Sequence, residues 1–198
     1  MTYETENRLS EGYNIVCGAD EAGRGPLAGP VCAAAVILPD GVEIEGLNDS
    51  KKLSEKKREA LYSVITEKAL SYAVAYGTLE EIEEFNILNA TYLAMNRAIE
   101  GLSVKADFAL IDGNRVPKDI KIPCETVVKG DGKSASIAAA SILAKVTRDR
   151  LLLEYDKKYP QYNFKKHKGY GTKEHYEAIE KYGVSEVHRL SFLKNVIK

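Results

Sequence analysis

The run Val31-Cys32-Ala33-Ala34-Ala35-Val36-Ile37-Leu38 is the strongest constraint on how this chain folds. Both parities are apolar, so a strand made from it has no face fit for water and must be covered on both sides. Companion strands are expected at residues 14–19, 71–78, 107–111 and 125–128. The 71–78 run alternates, with Tyr72, Val74 and Tyr76 on one side.

Helical periodicity fills the gaps. Ser54 caps a helix to about residue 69, with Ala60, Leu61, Val64, Ile65 and Ala69 on one stripe. Thr78 and Glu81 have capping-box spacing and open a short helix over 79–85. A second helix over 87–99 turns Leu88, Tyr92, Met95 and Ile99 inward. The longest helix covers 134–159; Ile137, Ala138, Ser141, Ile142 and Ala144 let its first half lie close to a sheet. Thr172 caps a last helix that Gly183 ends after Tyr182. Strands followed by alternating helices and strands predict a mixed α/β sheet.

At 198 residues, with 44% hydrophobic and 29% charged residues, the chain is expected to be one globular domain over 1–198. Residues 1–12 are expected to be a flexible N-terminal segment. No apolar run nears the ~20 residues of a membrane span, and the N-terminus lacks an apolar signal region, so a cytoplasmic protein without membrane contact is expected. Cys17, Cys32 and Cys124 show no Cys-x-x-Cys spacing and read as buried thiols. The net charge of -1 gives no global attraction to polyanions. Any nucleic-acid affinity rests on local clusters: Lys51-Lys52 with Lys56-Lys57-Arg58, Lys145 with Arg148 and Arg150, and Lys165-Lys166-His167-Lys168.

Acids then decide the chemistry. Asp20-Glu21 closes the first apolar run, Asp112 the fourth, and Asp131 follows the fifth. Unpaired carboxylates about 4 Å apart repel by roughly 4 kcal/mol at an effective dielectric near 20, so a cation must answer them. If those three strands are neighbours, the four acids meet at one edge, where open α/β sheets gather functional groups. Hard oxygen donors without His or Cys suit Mg²⁺ or Mn²⁺ rather than zinc. Taken singly, Asp112 before Gly113-Asn114 reads as a turn residue and Asp131 as a helix-dipole partner. Asp20 and Glu21 point to opposite faces of a regular strand, so their convergence requires a bend after Asp20, which Gly23 and Gly25 permit.

Asp20-Glu21-Ala22-Gly23-Arg24-Gly25-Pro26 and Asn48-Asp49-Ser50-Lys51-Lys52-Leu53 resemble the opening motifs of bacterial-type type 2 ribonuclease H, ribonuclease HII. Ile111-Asp112-Gly113, Lys129-Gly130-Asp131, the run from Ala138 to Asp149, Lys168-Gly169-Tyr170-Gly171-Thr172 and His188-Arg189-Leu190-Ser191-Phe192 resemble that family in the same order. The resemblance implies a ribonuclease H-like fold, a mixed central β-sheet flanked by α-helices, with a small helical C-terminal part in which residues 160–198 contact substrate. It implies a monomeric hydrolase that cleaves the RNA strand of RNA–DNA hybrids and incises 5′ of single ribonucleotides in duplex DNA. Two Mn²⁺ or Mg²⁺ ions, 3′-hydroxyl and 5′-phosphate ends, and a place in ribonucleotide excision repair come with it. The catalytic, metal-holding carboxylates map onto Asp20, Glu21, Asp112 and Asp131, and junction recognition onto Gly23, Arg24, Gly25 and Tyr170. Only about a dozen residues precede the first strand, which favours type 2 over type 3.

Those groups suit that reaction. Two cations activate water and stabilise the leaving oxygen, with Asp20 the best shared ligand; Glu21 ligates by side chain or by carbonyl. Reading RNA requires contact with a 2′-hydroxyl. Backbone groups at Gly23 and Gly25 can reach it while Arg24 takes a phosphate. Asn48, Ser50, Lys51 and Lys145 are further substrate contacts, with Lys52 competing for the role of Lys51. Lys165, Lys166 and Lys168 flank Tyr170 and can hold the duplex backbone. Gly130-Asp131-Gly132-Lys133-Ser134 mimics a P-loop end, but Val127 stands where the first glycine belongs, which excludes an ATPase. A non-catalytic duplex-binding module explains the basic clusters and leaves the strand-end acids without a purpose.

Overall fold

Five strands, β1 (Val16–Ala22), β2 (Val31–Ile37), β3 (Ser71–Gly77), β4 (Phe108–Asp112) and β5 (Cys124–Val127), form one sheet in the order β3-β2-β1-β4-β5. The computed structural model describes residues 12–194, so the expected flexible segment over 1–12 lies outside the described residues except for Gly12. β2 runs antiparallel to both β1 and β3, whereas β1, β4 and β5 are mutually parallel. The three parallel strands therefore end at the same edge of the sheet.

β2 is buried along its whole length, as its double-faced apolar run requires. Cys32, Ala34 and Val36 pack on one face against Leu61 and Ile65 of α1 (Glu55–Lys68) and Ala138, Ala139 and Ile142 of α3 (Ala135–Lys158). Ala33, Ala35 and Ile37 pack on the other face against Ala94, Met95, Ala98 and Ile99 of α2 (Leu79–Glu100). Each large aliphatic side chain fully buried this way contributes about 1.5–3 kcal/mol. Small residues set the spacing: a Cβ on Gly18 would lie 2.3 Å from the Ile137 nitrogen, so the start of α3 rests directly on β1.

Local signals act as expected. Ser54 Oγ accepts from the Lys57 N–H at 3.3 Å. The Thr78–Glu81 capping box closes at 2.9 and 3.2 Å. α2 is two helices joined at Asn86, which sits at φ 71° and whose Oδ1 accepts from the Leu88 N–H at 3.0 Å, starting the second segment where sequence periodicity resumes. Ser134 caps α3, and Thr172 and Gly183 bracket α5 (Lys173–Tyr182). Together with the one-turn α4 (Phe164–His167), α5 builds a small C-terminal layer on Leu27, Ala28, Leu152, Tyr162 and Phe164.

Two expectations change. β1 does not bend after Asp20; it stays in register with β2 through Ala22↔Cys32, because the ladder outweighs the weak strand preference of Asp and Glu. The basic cluster Lys145, Arg148 and Arg150 is not a surface patch, since Arg148 is buried. Cys17 and Cys32 are buried, which pushes their thiols up to about 12; Cys124 is half-buried.

Candidate active site

Asp20 and Glu21 lie opposite Ala34 and Ala33 of β2. Strand alternation therefore sends Asp20 toward α3 and Glu21 toward α2. Asp20 is 4% exposed. Its Oδ1 accepts the Glu21 N–H at 2.7 Å, Ser141 on α3 donates its hydroxyl to the carboxylate, and Ser50 Oγ meets Ser141 Oγ at 2.8 Å. Burial, then the charges of Glu21 and Asp112, hold the Asp20 carboxyl well above the usual range.

Asp112 closes β4, one residue past the Ala19↔Ile111 pair, and its Oδ1 accepts the Gly130 N–H at 2.7 Å. That bond fixes the turn Gly130–Gly132 which carries Asp131, a buried side chain. Burial, Asp112 and Asp49 raise the Asp131 carboxyl. Glu21 is raised mainly by burial and held back by Arg24, whose Nη1 lies 3.4 Å from Oε1.

Asp20, Asp112 and Asp131 thus share one edge, where Asp112 raises the carboxyls of the other two, and Glu21, on the other face of β1, feels Asp112 and raises Asp20. Among the described residues, no three acidic, histidine or cysteine side chains converge tightly enough to form a ready chelate. Like charges keep apart, and protein donors take some of their oxygens. The Lys51 ammonium stands 3.7 Å from Asp131 Oδ2 and also feels Asp20, Asp49 and Asp112. It is 81% exposed on a flexible stem, a cation that a divalent ion can displace. The donor set, oxygen only and short of compensating charge, fits Mg²⁺ or Mn²⁺.

Beside the acids the segment 23–30 leaves β1. Gly23 has φ 95°, and Arg24 and Gly25 are exposed. A Cβ on Gly25 would sit 3.5 Å from the Tyr170 ring, so the junction-reading candidates are neighbours. Tyr170 is 45% exposed. Asn48 accepts the Asp49 N–H at 2.8 Å and Asp49 accepts the Lys51 N–H at 2.9 Å, shaping the turn Ser50–Lys52. The Lys145 ammonium is held by Asp149 at 2.6 Å, facing Arg58.

Sequence reasoning passed over several residues. Ser141 reaches Asp20 from α3, Asp49 reaches Asp131, and Arg148 and Arg189 are buried under segment 23–30. His167, His175 and His188 gather beneath Tyr170. Ser185 N–H donates to His188 Nδ1 at 2.9 Å, so His188 donates from Nε2 to His175 Nε2 at 3.1 Å. His175 then donates from Nδ1 to the Tyr170 carbonyl at 3.0 Å, and His167 Nδ1 accepts the Gly169 N–H at 3.2 Å. Burial pulls His175 and His188 down to about 4.

Residues 17–195 match the sequence profile described as Ribonuclease HII. The chain belongs to the ribonuclease HII family. Ribonuclease HII of Clostridioides difficile (strain 630) is 59% identical over 195 residues, covering 98% of this chain and 76% of that protein. The crystal structure of ribonuclease H2 from Pyrococcus horikoshii OT3 superposes with a TM-score of 0.77 at 27% identity, covering 92% of this chain and 97% of that one. Bst-RNase HIII in complex with Mn²⁺ shares the fold, with a TM-score of 0.67 at 18% identity over 85% of this chain and 63% of that one. The ribonuclease H-like architecture expected from the motifs is therefore present. This ribonuclease HII family member is a hydrolase, an endoribonuclease of RNA–DNA hybrids, rather than a passive duplex-binding module. The family depends on divalent metal. No helix of the described residues is long and apolar enough to cross a membrane.

Proposed function

We propose that, besides cutting the RNA strand of hybrids, the chain incises duplex DNA on the 5′ side of a single embedded ribonucleotide, leaving 3′-hydroxyl and 5′-phosphate ends. The observation that carries this reading is the meeting of two unlike surfaces. An acidic edge of Asp20, Asp112 and Asp131, with Glu21 on the far face, adjoins a glycine-lined loop and an exposed tyrosine. Acids alone repel a polyanion, so their neighbour must do the reading.

Asp20, Glu21, Asp112 and Asp131 would hold divalent ions, two during catalysis and either Mn²⁺ or Mg²⁺. Bound there, the ions would supply an activated water and charge stabilisation at the phosphoryl and leaving oxygens. The chain's own residues position the substrate around that chemistry. Ser141, itself held by Ser50, locks Asp20 in place by a hydrogen bond, and the Gly130 N–H does the same for Asp112. Lys51 shields Asp131 and, once released from it, has reach to neutralise a phosphate oxygen. Peptide groups at Gly23 and Gly25 read the 2′-hydroxyl, Arg24 takes a flanking phosphate, and the Tyr170 ring lies against the sugar.

The test is a DNA duplex carrying one ribonucleotide, incubated with Mg²⁺, Mn²⁺ or EDTA. Incision 5′ of the ribonucleotide with metal and none with chelator is the expected result. Cutting of continuous hybrids alone would overturn the single-ribonucleotide reading.

A further inference from the structure

Arg148 and Arg189 are the largest fully buried side chains among the described residues, at 1% and 0% exposure. Among those residues no carboxylate lies within ion-pair distance of either. Two buried guanidinium groups without a carboxylate partner are costly, and the Arg148 charge further lowers the affinity of Arg189 for its proton. Their partners are backbone carbonyls, nearly all from one loop.

Arg189 donates from Nη2 to Gly23 O at 2.7 Å and from Nη1 to Arg24 O at 3.0 Å and Pro26 O at 2.8 Å. Its Nε donates to Gly29 O at 2.8 Å and its own peptide N–H to Leu27 O at 2.8 Å. Arg148 donates from Nη2 to Ala28 O at 2.9 Å and from Nε to Pro30 O at 3.1 Å. Its Nη1 reaches Lys168 O at 3.1 Å, two residues before Tyr170. Of the carbonyls from Gly23 to Pro30, all but that of Gly25 are thus turned toward the two arginine residues.

A trans peptide holds its C=O and the following N–H on opposite sides. With the Gly23 and Arg24 carbonyls turned inward, the N–H groups of Arg24 and Gly25 face outward, beside Tyr170. Among the described residues neither has an acceptor. Further along, the same geometry sends the Leu27 N–H to Gly169 O at 2.8 Å, which ties the loop to the tyrosine turn.

We propose that Arg148 and Arg189 are positioning residues for ribonucleotide reading: their buried guanidinium groups invert the 23–30 backbone so that the Arg24 and Gly25 N–H groups meet the sugar and phosphate beside Tyr170. This rests on the incision reading above. The pair also places two positive charges behind a reading surface in a chain of net charge -1. Lysine keeps the charge but lacks the rigid planar five-donor fork with which a guanidinium serves several carbonyls at once.

The test uses full-length R189K and R148K with Mn²⁺. It measures the KM and kcat for a duplex with one ribonucleotide, and the Ki of the same duplex in all-DNA form as competitor. Amide exchange of residues 23–30 is followed alongside. The expected result for each folded variant is a fall in kcat/KM of at least about tenfold with Ki changed by less than about threefold, and exchange at Arg24 and Gly25 at least about tenfold faster. Parallel loss of kcat/KM and Ki, unchanged kinetics and exchange, or failure of both variants to fold would overturn the proposal. If the parent protein does not incise the single-ribonucleotide duplex, the functional reading fails by itself, and amide exchange still decides whether the pair sets the loop.

Discussion

Asp20 concentrates the electrostatic conflict of the site in one side chain. Its ionised form is buried beside Glu21 and Asp112, so its folded-state pKa is raised. A raised carboxylate binds protons more tightly in the folded state, so stability falls as pH climbs from the ordinary carboxylate value toward the raised one. In metal-free protein, Asp20→Asn is therefore expected to melt above the parent at about pH 8, with the difference shrinking toward about pH 5. A scanning-calorimetry series over that range checks it. Asp112→Asn and Asp131→Asn are expected to lower hybrid cleavage at least about 100-fold without lowering the melting temperature, since each removes repulsion rather than packing. A large fall in melting temperature would make either residue structural. The histidines behave oppositely: with folded values pulled down to about 4, His175 and His188 stay neutral where an unfolded histidine charges, so they lose stability for the fold as pH drops below about 6.5. An NMR titration showing either ring charged at about pH 6 would contradict that packing.

At the scale of elements, the contact between β1 and α3 joins fold to chemistry. Gly18 lets the helix touch the strand, and the same helix carries Ser141 to Asp20. Gly18→Ala is expected to destabilise the protein by about 1–3 kcal/mol and to reduce cleavage as well, because the added methyl pushes Ser141 away from the acid. Urea unfolding and a cleavage assay on the same preparation test the coupling. Most elements were legible beforehand because their signals are local: the even apolarity of β2, the caps at Ser54, Thr78 and Thr172, and the break between the helices over 79–85 and 87–99. The end of β1 was not. Asp20 and Glu21 oppose strand formation by themselves, and only pairing with Ala34 and Ala33 keeps them extended. That regular pairing is also why the two acids part to opposite faces.

Across the whole molecule, the strand order decides what the site can be. The parallel neighbours β1, β4 and β5 gather at one edge acids that are far apart in sequence, which repeated strand-end acids foreshadow. What no local pattern discloses is a buried charge. Arg148 and Arg189 look like surface residues until the C-terminal layer closes over segment 23–30, and the histidines acquire partners only through the same long-range packing. The basic groups left at the surface, Lys165 and Lys166 among them, make a salt-sensitive contribution, so kcat/KM on hybrids is expected to fall between about 50 and 200 mM salt. The central claim is that the carboxylates at this edge hold divalent ions. Crystals equilibrated with Mn²⁺ and measured for anomalous scattering test it most directly. Anomalous peaks coordinated by Asp20 and Asp112, and absent from Asp112→Asn crystals, are the predicted result; Mn²⁺ bound only elsewhere on the molecule would contradict it.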